Sequence, residues 1–135
     1  MVAIDQFLAI RRAVSRWENR ATAALSGHHG LSVSDFAVLH HLAEAPGYRL
    51  RRVDLAQHLA LTPSGITRLL NPLERRGIVS REESGHDARA TYAVLTPAGR
   101  TLFKNARVTM GEFAEASLRT LTERDRGALA KLAGD

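Results

Sequence analysis

The sequence predicts a mainly α-helical fold with one small β-hairpin. Three observations predict it. Apolar residues recur at alternating threes and fours near both ends of the chain, the spacing of one helix face. Thr62-Pro63 and Thr96-Pro97 each combine an N-cap residue with a proline at the first helical position, where its missing N–H costs nothing. Only residues 78–95 carry strand character, with β-branched and aromatic residues beside a polar turn. At 135 residues the chain suits one domain, 1–135, with a sizeable core, and an apolar fraction of 44% argues against disorder.

The first helix is expected over about residues 5–25. Phe7, Ile10, Val14, Trp17, Ala21 and Ala24 form a heptad-like stripe along it, and Ser26-Gly-His-His-Gly30 ends it. A second helix begins after Ser32, with Asp35 in its first turns. It buries Phe36, Leu39, Leu42 and Ala43 and stops at Pro46-Gly47. Tyr48 to Leu50 is extended. A short helix from Asp54 to Ala60, the tight turn Leu61-Thr62 and a helix closed by Gly77 make a helix-turn-helix at about 53–76. Strands at 78–83 and 89–95 around Ser84-Gly-His-Asp-Ala88 add a wing, about 78–95. Two closing helices occupy about 98–133. The first carries Leu102, Phe103, Ala106, Met110, Phe113 and Ala114. The second opens on Thr122-Glu-Arg-Asp125, which resembles a capping box with Asp in the acidic position. The whole reads as a winged helix-turn-helix flanked by N- and C-terminal dimerisation helices.

The helix after Thr62 has two unlike faces. Ser64, Thr67, Arg68, Asn71 and Arg75 share one; Ile66, Leu69, Leu70 and Leu73 share the other. Small hydrogen-bonding groups and guanidiniums opposite an apolar stripe are what a helix in the DNA major groove needs; an amphipathic surface helix has the same pattern. Net charge is +5, and of 19 basic residues only Lys104 and Lys131 are lysines. Arginine forms bidentate contacts to phosphate and guanine, so the balance permits a nucleic-acid partner, although GC-rich coding produces the same excess.

There is no cysteine, which removes disulfides, thiolate zinc sites and thiol-based peroxide sensing. No apolar run approaches the ~20 residues of a membrane span. The N-terminus lacks a basic segment followed by an apolar core, so a cytoplasmic protein with no membrane partner is expected. His40 and Glu44 have an i, i+4 spacing that can chelate zinc, but no third ligand is placed, and no metal or cofactor is expected. With no phosphate loop or nucleophile elbow, the chain is not read as an enzyme.

The order of elements, with Leu55-Ala56, Leu61-Thr-Pro-Ser-Gly-Ile-Thr-Arg68, Leu73-Glu-Arg-Arg-Gly-Ile-Val79, Asp87-Ala-Arg89 and Val94-Leu-Thr-Pro-Ala-Gly99, resembles the MarR family of transcription regulators across essentially the whole chain. The Asp-x-Arg pair followed by a Leu-Thr-x-x-Gly helix start is the more discriminating part. The resemblance implies a homodimeric, sequence-specific DNA-binding regulator, usually a repressor, that reads double-stranded DNA with two recognition helices and two wings. The apolar stripes of the first and last helices independently ask for a second copy. A two-fold dimer places its recognition helices ~34–36 Å apart and prefers a pseudo-palindromic operator.

On that reading Ser64, Thr67, Arg68 and Asn71 meet base edges and nearby phosphates, with Arg68 the candidate for a bidentate guanine contact. Arg75 and Arg76 touch phosphate or pair with Glu74. In the wing, Asp87 holds Arg89 for the minor groove, and Arg81 and His86 add phosphate contacts. The family also implies a small lipophilic or phenolic effector between the dimer helices and the winged domain, for which Trp17, Phe36, His40 and His41 are candidate wall residues; plain core or dimer interface is the competing role for Trp17 and Phe36. Pro72 departs from the family pattern, which commonly has a basic residue there. It is expected to kink the helix or end it early, to disturb Asn71 and Arg75, and to weaken or re-aim DNA binding. The rival reading is an architectural or docking module that keeps the fold without operator specificity.

Overall fold

Capping chemistry sets most element boundaries in the computed structural model, which describes residues 2–83 and 90–134. Helix α1 (Ala3–His29) runs four residues past its expected end. Gly27 lies inside it, at a cost of roughly 1 kcal/mol relative to alanine. The terminator is Gly30, whose left-handed φ of 63° turns its N–H onto the Ser26 carbonyl. Helix α2 (Val33–Glu44) starts at a full capping box. The Asp35 N–H donates to the Ser32 hydroxyl at 3.0 Å, and the Ser32 N–H donates to the Asp35 carboxylate at 2.9 Å. A single 3₁₀ turn, Pro46–Tyr48, leads into β1 (Arg49–Arg51), so the expected extended piece begins one residue later. Tyr48 itself sits at φ 59°.

Helix α3 (Arg52–His58) and helix α4 (Pro63–Arg75) form the helix-turn-helix. The first of the pair lies two residues earlier than the spacing suggests, because Ala60 takes φ 53° and ends it. The Leu61 N–H returns to the Ala56 carbonyl and the Ala60 N–H to that of Gln57, a Schellman closure with alanine where glycine is usual. Strands β2 (Val79–Glu83) and β3 (Thr91–Leu95) form the wing ladder, and β1 joins them in an antiparallel sheet of order β1-β3-β2. Ala93, paired with both Leu50 and Arg81, is the buried centre of that sheet. Helices α5 (Pro97–Leu118) and α6 (Glu123–Ala130) close the chain. The Thr122–Asp125 capping box forms in both directions, at 3.0 and 3.1 Å.

Helix α2 lies at the middle and packs on α1, α3, α4, α5, β1 and β3. Its Val38, Leu39 and Leu42 meet Leu25, Leu55, Ile66, Leu70, Leu73, Leu95 and Ala106 in one apolar cluster, and among the described residues no polar side chain is buried. The long stripe of α1 divides. Ala21 is buried and Trp17 half-buried against the same chain, whereas Phe7, Ile10 and Val14 face outward, Phe7 at 69% exposure.

One junction ties the wing to α5. The Thr96 hydroxyl shares its proton between the Gly77 carbonyl at 2.6 Å and the Ile78 carbonyl at 2.9 Å. It accepts the Gly99 N–H at 3.0 Å, while the Thr96 N–H donates to the Ile78 carbonyl. The first turn of α5 therefore lies directly on the Ile78 backbone, and a Cβ at Gly99 would run into that carbonyl and into Leu95.

Two substitutions test these backbone constraints. Gly99→Ala forces the helix off the carbonyl and should destabilise by about 1–3 kcal/mol, as overpacking does. Ala60→Gly relieves a left-handed alanine costing about 1–2 kcal/mol, less about 0.4–1 kcal/mol for the freer unfolded chain, and should stabilise by roughly 0.5–1 kcal/mol. Urea unfolding midpoints should move in opposite directions; a neutral Gly99→Ala would show that α5 does not need that close approach.

Candidate nucleic-acid interface

Helix α4 is fixed at both ends by its own sequence. The Thr62 hydroxyl accepts the Gly65 N–H at 3.0 Å, and Pro63 occupies the first helical position. At the far end the Ile78 N–H reaches the Leu73 carbonyl and the Gly77 N–H that of Glu74, both at 3.0 Å, with Gly77 at φ 71°. Gly77 thus closes the helix as expected, and the two bonds make the closure a Schellman motif. Between these ends Ile66, Leu70 and Leu73 are buried and Leu69 half-buried. Ser64, Thr67, Arg68, Asn71 and Arg75 are all exposed. Pro63, Ser64, Thr67, Arg68 and Asn71 line one shallow open depression.

The exposed residues are not equally available. The Ser64 hydroxyl is 3.2 Å from that of Thr62. Thr67 donates its hydroxyl proton to the Pro63 carbonyl at 3.0 Å and accepts from the Arg52 guanidinium at 3.2 Å, leaving one hydroxyl lone pair for a further donor. Arg68, Asn71 and Arg75 have no hydrogen-bond or ion-pair partner among the described residues, so their polar groups meet solvent.

Pro72 does not end the helix. Helix α4 runs on to Arg75, and the Arg76 N–H bonds the Pro72 carbonyl at 3.1 Å. The proline still removes the N–H that the Arg68 carbonyl would accept, a defect worth ~3 kcal/mol or more in an isolated helix interior. Its ring is exposed, and buried Leu73 next to it anchors the last turn.

The pairing expected at the end of α4 differs. Glu74 does not pair with Arg75 or Arg76. It accepts from Arg52 Nη1 at 3.0 Å, while Arg76 donates to the Gly30 carbonyl at 2.8 Å, binding the end of α4 to the C-terminus of α1. One Arg76 N–H is thus bonded to the protein itself. In the wing, Arg81 is exposed on β2, 3.5 Å from Glu83. Arg49 bridges the sheet, with an ion pair to Glu82 at 2.6 Å and its guanidinium 3.8 Å from the centre of the Tyr92 ring. His86, Asp87 and Arg89 lie outside the described residues.

The four candidate effector-pocket residues do not share one cavity. Trp17 lines an apolar cleft of about 210 Å³ with Val14, Ala21, Val33, Met110 and Phe113. His41 borders a second depression of about 300 Å³ with Glu18, His58 and Leu69. Phe36 and His40 instead pack with Phe103, at ring separations of 5.4 and 6.1 Å. His40 also lies 3.6 Å from Glu44. Sequence reasoning missed Arg52 and the stacking of His41 on His58 (4.9 Å, 17°).

With this geometry, the chain is similar to known transcription regulators. Residues 29–90 match the model described as MarR family. An HTH-type transcriptional repressor of Mycobacterium tuberculosis is 38% identical over 77 residues, 57% of this chain and 54% of the relative. The HTH-type transcriptional regulator PrsX of Escherichia coli is 33% identical over 101 residues, covering 75% and 59%. The chain therefore spans about half the length of the curated relatives it matches. The fold agrees with a MarR family transcriptional regulator of Streptomyces coelicolor solved in complex with DNA (TM-score 0.87, 24% identity, 98% of this chain and 88% of that one). These MarR relatives are named as regulators, not enzymes. No helix among the described residues is long and apolar enough to cross a membrane.

Burial first, then repulsion from His58 and His40, hold the His41 pKa below its ordinary value; Glu44 opposes them. The folded chain then binds that proton less readily than the unfolded chain. The His41 contribution to stability is complete above the unfolded-chain pKa of about 6.5 and is lost as pH falls through the folded value. Thermal melts at pH 7.5 and pH 5 should show a smaller acid-induced drop in Tm for His41→Gln than for the unmodified chain; equal drops would place the acid sensitivity elsewhere.

Proposed function

We propose that this chain is a cytoplasmic, sequence-specific DNA-binding transcription regulator that works as a homodimeric repressor and is released by a small lipophilic or phenolic effector. The observation that carries the DNA-binding reading is the exposed polar face of α4, capped at both ends and backed by a fully apolar face. Arg68 is the base reader, bidentate to guanine. Ser64, Thr67 and Asn71 meet base edges, and Arg75 meets phosphate. Arg81 and the Asp87–Arg89 pair serve the flanking groove.

The dimer reading is supported by the outward stripe of α1. Ile4, Phe7, Ile10 and Val14 form an apolar surface along the N-terminal half of α1, and Val108 on α5 and Leu132 in the 3₁₀ turn after α6 are also exposed. A second copy of the same surface is the partner such a stripe fits. The effector reading is supported by the wholly apolar cleft beside Trp17. It also draws on the Bordetella bronchiseptica regulator BpsR, whose DNA binding is regulated by 6-hydroxynicotinic acid and whose structure matches at a TM-score of 0.80 and 20% identity.

Selection of duplexes from a random-sequence library, followed by footprinting with and without aromatic acids, tests the whole proposal. A pseudo-palindromic footprint that aromatic acids abolish is the expected result; weak uniform protection would favour the architectural module. Arg68→Ala should cost about 1–3 kcal/mol on the selected duplex and relax specificity at one base pair of each half-site. Full retention of that preference would remove Arg68 from base reading.

A further inference from the structure

We infer that Arg52 is a positioning residue that holds the recognition helix in one piece across Pro72, an inference that rests on the DNA-binding reading of α4. The helix has a gap in its backbone ladder, because residue 72 has no N–H for the Arg68 carbonyl. A single guanidinium spans the flanks of that gap. Arg52 Nη2 donates to the Thr67 hydroxyl at 3.2 Å, five residues before the proline, and Nη1 donates to the Glu74 carboxylate at 3.0 Å, two residues after it.

The side-chain chain of bonds goes further. Thr67 passes its own proton to the Pro63 carbonyl. Glu74, Arg52, Thr67 and Pro63 are thereby linked from the last turn of α4 to the first, along one side of a helix whose backbone ladder is broken at Pro72. Thr67 and Glu74 are seven residues apart, two helical turns on one side of the helix, and the glutamate side chain tilts back toward the N-terminus to close the distance. The planar guanidinium holds its two N–H groups at a fixed separation, so binding both partners sets the length of this face. A lysine ammonium offers no such fork.

The pair is also shielded. The Arg52 and Glu74 side chains are 11% and 26% exposed, whereas the wing pair Arg81–Glu83 stands at 52% and 72%. Salt screens the former much less. Arg52 is the first residue of α3, so it also fixes α4 to its partner helix in the motif. Loosening this clamp releases the segment after Pro72 and, through Thr67, the side chains beside Arg68. The consequence falls on discrimination between sequences, not on general attraction to phosphate.

Four variants and two readouts test it. The variants are R52A, E74Q, P72A and R52A/P72A. The readouts are affinity for the duplex selected by the unmodified chain against a scrambled duplex of the same composition, and amide exchange of residues 73–76 in the free protein. R52A should weaken the selected duplex at least tenfold and the scrambled one less than threefold, and should speed exchange at 73–76 at least tenfold. In the P72A background, where the ladder is restored, the same change should cost less than threefold. E74Q, which keeps the side-chain volume, should move both readouts in the same direction if R52A folds poorly. Equal losses on both duplexes would make Arg52 an ordinary phosphate contact, and an undiminished loss in the P72A background would break its link to the proline. Each overturns the inference. If the unmodified chain selects no duplex, the DNA-binding reading fails, and unchanged exchange at 73–76 in R52A overturns the clamp by itself.

Discussion

The Thr96 hydroxyl bonds to backbone groups on both sides of the junction between α4, the wing and α5. Helix α4 ends at Arg75 and closes through Gly77, β2 begins at Val79, β3 ends at Leu95 and α5 begins at Pro97, and all four ends lie near this side chain. Its proton is shared between the Gly77 and Ile78 carbonyls, its lone pair takes the Gly99 N–H, and the absence of a Cβ at Gly99 lets the helix start settle there. Each bond is worth only about 1 kcal/mol net. Their geometric effect is larger: they fix the wing and the long closing helix to the end of α4. The core beneath is almost entirely aliphatic, and apolar contacts are non-directional. Directional bonds of this kind therefore choose one orientation among the many that an aliphatic core would accept.

What could be read from the chain was what a few adjacent residues decide. Ser32 with Asp35, Thr62 with Pro63, Thr96 with Pro97, Thr122 with Asp125, and Gly77 each announced a helix end, and each end lies there, because capping is a transaction among neighbours three or four residues apart. The two faces of α4 were equally legible, since 3.6 residues per turn sorts a short helix without help from the rest of the fold. Gly27 misled because glycine is tolerated inside a long, well-packed helix. Ala60 gave no warning at all: a left-handed alanine looks in sequence like any other alanine.

The contacts that refine the candidate interface were invisible for the opposite reason. Arg52 lies 22 residues from Glu74, and Arg76 lies 46 from Gly30. Only the finished topology brings them together. In sequence, Glu74 stands beside two arginines and appears to be theirs; in space its side chain points back along the helix to a third. The same holds for the apolar stripe of α1. Its period was plain, but period alone cannot tell which half meets the chain's own core and which half is left outside.

The tie between Arg76 and Gly30 gives α1 a mechanical character. The helix has 27 residues, about 40 Å at 1.5 Å per residue. Its C-terminal carbonyl is fastened to the end of α4, and its other end projects as a bare apolar surface. Between those two ends it rests on α2 and α5 as a beam rests on its supports. A tilt of about 5° imposed near Phe7 and pivoting there displaces the clamped end by roughly 3 Å over that length, about the size of a hydrogen-bond length. A movement at the free end of the beam is thus delivered to the far end of α4.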